Sequence, residues 1–131
     1  MRTADFDEVV ERAFRNIPAR FRSRMQNVVV VVEDEPSPAQ IQGVGTSPGS
    51  TLLGLYEGRP LRYRGVSEGF HLPDRITIFQ GPHERTSRDR ESLERLVEQT
   101  LWHEIAHHFG MNEREVRAAE RLRRMQRLWP H

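Results

Sequence analysis

Apolar residues recur at helical spacing close to the start of the chain. Those that would share one face are Phe6, Val9, Val10, Ala13, Phe14 and Ile17. This spacing predicts an amphipathic helix over residues 5–16, which Asp5 and Glu8 would cap and Pro18 would end. A second short helix is predicted over residues 19–26.

The middle of the chain carries strand patterns separated by turn residues. The predicted strands cover residues 28–32, 52–56, 61–63 and 75–80, and the second and third of them form a hairpin. The first is a run of valines from Val28 to Val32, which is typical of a buried strand. Pro and Gly residues predict a loop from Glu33 to Gly49, and Gly81-Pro82 is predicted to stop the last strand.

A long helical pattern follows from Ser87 to Phe109. Its apolar face consists of Leu93, Leu96, Val97, Thr100, Leu101 and Ile105, broadened near its end by Trp102, Ala106 and Phe109. A helix that is apolar around so much of its circumference is buried there. Thr86 with Asp89 predicts the N-terminal cap, and Gly110 predicts the C-terminal end.

The last pattern predicts a C-terminal helix that Asn112 and Glu115 open. Its apolar stripe is Val116, Ala119, Leu122, Met125 and Trp129. The element order is therefore helix, strand, hairpin, strand, long helix, helix. This order predicts an α+β fold in which a small mixed β-sheet packs on the long helix, followed by the C-terminal helix.

Composition limits the class of protein. The 131 residues predict one domain, 1–131, and 36% hydrophobic with 30% charged residues is typical of a globular chain. No apolar run is long enough to span a bilayer and no signal-peptide pattern is present, so we expect a cytoplasmic protein with no membrane partner. The absence of Cys excludes disulfides and thiolate metal sites. Every basic residue is Arg, which excludes a catalytic Lys.

The strongest chemical signal lies at the end of the long helix, where residues 103–113 follow the pattern H-E-x-x-H-x-x-G-x-x-E. His103 and His107 are four residues apart, so their imidazoles lie on one helical face and can bind one metal ion. With no thiolate available, the expected cofactor is Zn²⁺ held by nitrogen and oxygen ligands. Glu104 points about 100° away from His103 and is predicted to be the catalytic general base toward a metal-activated water.

A third metal ligand must come from beyond this helix, because a straight helix cannot wrap around an ion. A positive φ at Gly110 would reverse the direction of the chain. Glu113 could then return toward the ion, and it is the predicted third ligand beside His103 and His107. Glu120, two helical turns further on, is the alternative third ligand.

Other polar residues are predicted to have roles other than metal binding. His108 is expected beside the ligands or on the surface, and Glu115 is better explained as a capping partner of Asn112 than as a ligand. Asp74 and Glu84 are expected to be solvated loop residues. The candidates for an additional donor to a substrate oxyanion are Tyr56, Tyr63, His71 and His83.

The motif His103–Glu113 resembles that of the zincin metallopeptidases in their extended form, whose third ligand follows the Gly by three residues. That ligand is His in metzincins and Asp in aspzincins, whereas this chain has Glu113. Together with the segments Leu52–Leu61 and Leu72–Phe79, most of residues 50–116 resembles the small bacterial zincin-like metallopeptidases. The resemblance implies a minimal zincin fold and zinc-dependent hydrolysis of peptide bonds.

The same resemblance implies that an edge strand, such as Arg75 to Gln80, pairs with an extended peptide or protein substrate. A full zincin also has a lower subdomain that closes the cleft, and only residues 114–131 follow Glu113 here. The lower wall is therefore expected to come from a partner subunit or a homo-oligomer, or to be absent.

Two alternative functions stay open. A non-catalytic, metal-stabilised interaction module would use Glu104 as a buried carboxylate that supports the ligands. A metal-dependent nuclease would use the spacing of His103, His107 and Glu113, which resembles that of bacterial rRNA-maturation endoribonucleases, with arginines of the last helix on phosphates. The net charge of only +1 argues against nucleic acid as a partner.

Overall fold

The computed structural model describes residues 1–25, 27–44, 51–58, 73–110, 114, 115, 118 and 121. Its helices are α1 (Thr3–Arg15), α2 (Ala19–Arg22), α3 (Pro38–Val44), α4 (Gln80–Thr86) and α5 (Arg90–His108). Its strands are β1 (Val28–Glu33), β2 (Gly54–Glu57) and β3 (Asp74–Phe79). These elements confirm the predicted α+β class with a small mixed sheet and a long motif helix.

The sheet has the strand order β1-β3-β2, so β3 is its central strand. β1 runs parallel to β3, and β2 runs antiparallel to it with Tyr56 opposite Ile76 and Gly54 opposite Ile78. Side chains two residues apart share a face of a sheet. Asp74, Ile76 and Ile78 of β3 therefore lie on one face together with Gly54 and Tyr56 of β2, and α5 covers this face.

The hydrophobic core lies between this sheet face, α1 and α5. Its buried members are Phe6, Val9, Val10, Ala13, Ile17, Ile76, Ile78, Leu93, Val97, Leu101, Trp102 and Ile105. Burying one large apolar side chain contributes about 1.5–3 kcal/mol. The core therefore fixes α5 firmly against β3, and it confirms the apolar faces predicted for α1 and α5.

The loop predicted from Glu33 to Gly49 is wrong over α3. The backbone N–H of Gln40 donates to Oγ of Ser37 at 3.1 Å, and the N–H of Ser37 donates to Oε1 of Gln40 at 2.8 Å. This reciprocal pair is a capping box. Pro38 occupies the first helical position, where no N–H is needed. The proline that suggested a loop therefore begins a helix, and residues 45–50 lie outside the described part of the chain.

Proline has the same role after β3. The strand predicted over residues 75–80 ends at Phe79, and Gln80 begins α4 rather than a turn. Pro82 lies in the first turn of α4, where backbone N–H groups have no partner within the helix. The Gly81-Pro82 pair thus follows the end of the strand, as predicted, but belongs to a helix.

The N-termini of α1 and α5 differ from the predicted caps. α1 begins without any side-chain cap, so the cap predicted from Asp5 and Glu8 is wrong. α5 begins directly after Asp89, whose Oδ1 accepts from the backbone N–H of Ser92 at 2.8 Å, while the Ser92 hydroxyl accepts from the Asp89 N–H. Because Asp89 and Ser92 complete a capping box by themselves, Thr86 has no part in the cap.

Some predictions fall outside the described residues. These are the strand over residues 61–63 and most of the C-terminal helix, of which Arg114, Glu115, Ala118 and Arg121 are described and helical. No helix in the described part of the chain is long and apolar enough to cross a membrane.

Candidate metal centre

The second half of α5 presents a strip of polar groups to the sheet. Thr100, Glu104 and His108 follow one another at intervals of four residues and are all buried. That spacing places them on one helical face. Leu101 and Ile105, beside them on the helix, are fully buried in the core. The packing of these two apolar side chains therefore fixes the position of the three polar side chains against the sheet.

His103, Glu104 and His107 form a cluster at this end of the helix. Their possible ligand atoms all lie within 4.8 Å of one another. The ring centroids of His103 and His107 are 4.7 Å apart, and Oε1 of Glu104 lies 3.3 Å from Nδ1 of His107. Imidazole and carboxylate groups are the donors that zinc binds when no thiolate is present, so the donor set fits this ion. Glu113 and Glu120, the two candidates for the third ligand, lie outside the described residues.

The three side chains differ in their access to solvent. The His107 side chain is 36% exposed and His103 is half-buried, whereas the Glu104 side chain is only 10% exposed. The imidazoles can therefore be reached from outside, while the carboxylate lies beneath them against the sheet. A sheltered carboxylate beside an open metal-binding face suits proton transfer to and from a bound substrate.

Gly54 allows β2 to approach this cluster closely. A Cβ atom at position 54 would lie 2.6 Å from Cγ2 of Thr100 and 3.4 Å from Cγ of Glu104. Any side chain there would force the strand away from the helix. A glycine within an apolar strand pattern is a sequence signal for such a close approach, although it does not show which element approaches.

A cleft of about 340 Å³ opens beside Glu104. Its lining residues are Thr51, Leu52, Leu53, Gly54, Leu96, Gln99, Thr100, His103 and Glu104. Among the described lining residues, the charged groups are those of the metal cluster, and three side chains are leucines. The cleft therefore fits an apolar group placed next to the candidate metal centre.

The strand beside this cleft is β2. The prediction that residues 75–80 form an edge strand is wrong, because β3 is paired with β1 on one side and with β2 on the other. Within the described residues, β2 pairs with β3 alone, and Gly54 places it beside Glu104. The sequence pattern could not reveal this order, because alternation shows that a segment is a strand but not where it lies in the sheet.

Gly110 ends α5 in the left-handed conformation that the sequence predicted. Its φ is +77°, and its N–H donates to the carbonyl of His107 at 2.9 Å. A Cβ atom disfavours this conformation, so glycine is the residue that permits the turn. The chain therefore changes direction three residues after the second imidazole of the cluster.

Asp74 and Glu84 do not occupy the solvated loops predicted for them. Asp74 is 2% exposed because it begins β3 on the face covered by α5, and its Oδ2 accepts from Nδ1 of His108 at 2.8 Å and from the Tyr56 hydroxyl at 2.6 Å. His108 is fully buried, which excludes the surface position. Glu84 is half-buried in α4 and accepts a hydrogen bond from Gln80.

The described candidates for an oxyanion donor have their hydrogen atoms engaged elsewhere. Tyr56 donates to Asp74, and Nδ1 of His83 donates to the carbonyl of Phe79 at 2.8 Å. Burial lowers the pKa of His83, which favours the neutral ring, and its Nε2 lies 2.9 Å from the hydroxyl oxygen of Thr100, whose hydroxyl donates to the carbonyl of Leu96. The other two candidates, residues 63 and 71, lie outside the described part.

Comparison with known proteins identifies the family of the chain. The family described as zincin-like metallopeptidase matches residues 25–122, which is most of the chain. The chain belongs to the zincin-like metallopeptidase family. Membership in this family links the chain to a metal ion, typically zinc, and to peptidase activity.

A solved structure shows the same fold. This zincin-like chain is similar to a conserved hypothetical protein from Thermo thermophilus, with 27% sequence identity and a TM-score of 0.55. The similarity covers 83% of this chain and 94% of that one. No curated protein matches the chain.

Proposed function

We propose that the chain is a zinc-dependent peptidase in which His103 and His107 are zinc ligands and Glu104 is the general base. The observation that carries this proposal is the grouping of these three side chains within 4.8 Å beside an open cleft. Glu113 is the proposed third ligand, because the turn at Gly110 redirects the chain just after His107. Family membership supports both the metal and the reaction class.

Zinc bound at this site supplies a Lewis acid that polarises a carbonyl group and lowers the pKa of water. Glu104 accepts a proton from the attacking water as the water oxygen bonds to the carbonyl carbon of the peptide. It then returns this proton to the amide nitrogen as the C–N bond breaks. The products are a carboxylic acid and an amine, and Glu104 is restored to its starting state.

We assign the binding of the peptide substrate to the cleft that Leu52, Leu53 and Gly54 line beside Glu104. Gly54 brings β2 against Glu104, so a peptide in this cleft would pass close to the base. The leucines that line the cleft favour an apolar side chain next to the bond that is cleaved.

The test combines zinc content with cleavage of a broad peptide library. Wild-type protein should bind one zinc ion and cleave preferentially beside apolar residues. Glu104→Gln keeps the shape of the side chain but accepts no proton, so it should retain zinc and lose cleavage by about 10²–10⁴-fold. Glu94→Gln makes the same change on the more exposed half of the same helix and should cleave like the wild type.

Three results would contradict the proposal. A zinc-loaded wild type that cleaves no library peptide would favour the non-catalytic interaction module. Loss of zinc from Glu104→Gln would show that this carboxylate is a ligand rather than the base. Salt-dependent RNA binding, followed by cleavage of the RNA, would favour the nuclease.

A further inference from the structure

The end of α5 is attached to the sheet by a buried network of three side chains. Oδ2 of Asp74 accepts from Nδ1 of His108 at 2.8 Å and from the hydroxyl of Tyr56 at 2.6 Å. A carboxylate only accepts hydrogen bonds, so Nδ1 of His108 carries the hydrogen. The rings of Tyr56 and His108 also meet edge to face, with centroids 5.9 Å apart. The network thus joins the last turn of α5 to the start of β3 and to β2.

The residues that flank His107 are held on both sides. Ala106 is 1% exposed and His108 is fully buried. Phe109 packs edge to face on the ring of His108 at 5.4 Å and on Phe21 at 5.9 Å. The backbone of His107 therefore cannot rotate or shift without disturbing the network or the core beside it. The turn at residue 110 begins from this same anchored segment.

We propose that Tyr56, Asp74 and His108 form a positioning network for the metal centre. It fixes the last turn of α5, and through that turn it sets the orientation of His107 and the direction in which the chain leaves at Gly110. None of the three acts on the substrate, and the inference rests on the metal site of the proposed function.

The chemistry of the network favours positioning over simple stabilisation. Burying a carboxylate costs free energy that its hydrogen bonds only offset, and an apolar group of similar size would often stabilise a fold as well. Hydrogen bonds, unlike apolar contacts, depend on direction, so they select one arrangement of the helix end. Groups that hydrogen-bond directly to metal ligands typically affect metal affinity by about 10–100-fold, and this network acts on His107 through the helix turn that they share.

The first experiment measures metal binding in Asp74→Asn, which keeps the size of the side chain and removes its charge. Zinc affinity, measured by competition with a chelator, should fall about tenfold or more. With Co²⁺ in place of zinc, the visible absorption bands should shift because the ligand geometry changes. The matched control is His83→Gln, which alters the second histidine that is buried among the described residues and should destabilise the protein without shifting the cobalt bands.

The second experiment needs no metal. In zinc-free protein, amide hydrogen exchange at Phe109 and Gly110 should be faster in Asp74→Asn than in wild type, and unchanged in His83→Gln. Tyr56→Phe removes only one hydroxyl, so it provides a milder second test if Asp74→Asn does not fold. It should cause the same changes on a smaller scale.

The proposal is overturned if folded Asp74→Asn and Tyr56→Phe bind zinc with wild-type affinity, show the wild-type cobalt spectrum and exchange at the wild-type rate. A wild-type protein that binds neither zinc nor cobalt would instead overturn the proposed function. In that case the exchange rates alone decide whether the network fixes the end of the helix.

Discussion

The two halves of α5 place their polar side chains in opposite environments. In the first half, residues 90–99, charged groups lie toward solvent and pair with each other. Arg90 pairs with Glu94 at 3.3 Å, and Arg95 pairs with Glu91 at 3.0 Å. Such exposed pairs contribute little to stability, and the apolar side chains on the opposite face attach this half to the core.

In the second half, polar side chains occupy part of the buried face that is apolar in the first half. Thr100, Glu104 and His108 lie against β2 and β3, and each needs a hydrogen-bond partner to offset its loss of water. The apolar side chains Leu101 and Ile105 hold this half in place. A continuous apolar stripe therefore attaches the whole helix to the core. In the second half, polar side chains of the candidate site occupy part of the buried face beside this stripe.

The largest expected effect is the difference that zinc makes to the free energy of unfolding of variants in the two halves of α5. At about a hundred times its Kd, zinc should raise the free energy of unfolding by about 2.7 kcal/mol. His107→Ala removes a proposed ligand and should abolish this increase, whereas Glu94→Gln should keep it. Chemical denaturation with zinc and with a chelator measures both effects. Equal stabilisation of His107→Ala by zinc would place the metal elsewhere.

Gly54→Ala should show that the second half depends on close contact with β2. The new Cβ would lie 2.6 Å from Cγ2 of Thr100, and such overpacking costs about 1–3 kcal/mol. Cleavage should also fall, since the displaced strand contacts Glu104. Gly43→Ala is the matched control, because a Cβ at position 43 meets no atom within 4 Å. Denaturation midpoints and cleavage rates provide the measurements.

A second-site change sharpens this test. Thr100→Ser removes the Cγ2 atom that is closest to the new methyl group and keeps the hydroxyl. The double variant should therefore recover part of the stability that Gly54→Ala loses. Additive losses in the double variant would contradict the proposed contact.

Local patterns in the sequence predicted most of the fold. Apolar residues at helical spacing located α1 and α5, and the valine run located β1, because each pattern lies within one element. The helices that were missed are α3 and α4, where proline was taken to interrupt structure. Pro38 and Pro82 instead lie in the first turns of helices, and the Ser37–Gln40 capping box was the sequence signal that distinguishes this position.

The candidate site could be predicted only as far as it is local. His103, Glu104 and His107 lie within five residues of one helix, so helical geometry alone brings them together. Asp74 and His108 are 34 residues apart and meet only because α5 crosses the start of β3. Such a contact depends on strand order and on where the helix packs, and the hydrophobic periodicity of the sequence predicts neither.

The smallest effect should come from His83, which bonds Thr100 at the boundary between the two halves. Burial lowers its pKa below the ordinary value of 6.5, so the unfolded chain binds a proton near this pH while the folded protein stays neutral. The contribution of His83 to stability is therefore fully present above pH 6.5 and is lost as the pH falls toward its folded-state pKa.

The variant His83→Gln has no titrating ring at this position. As the pH falls from 6.5 toward the folded-state pKa of His83, its free energy of unfolding should therefore decrease less steeply than that of wild type. Urea denaturation of zinc-free protein at a series of pH values measures the two slopes, with Glu94→Gln as a control that should keep the wild-type slope. Equal slopes for His83→Gln and wild type would show that the buried ring takes up its proton as readily as the unfolded chain.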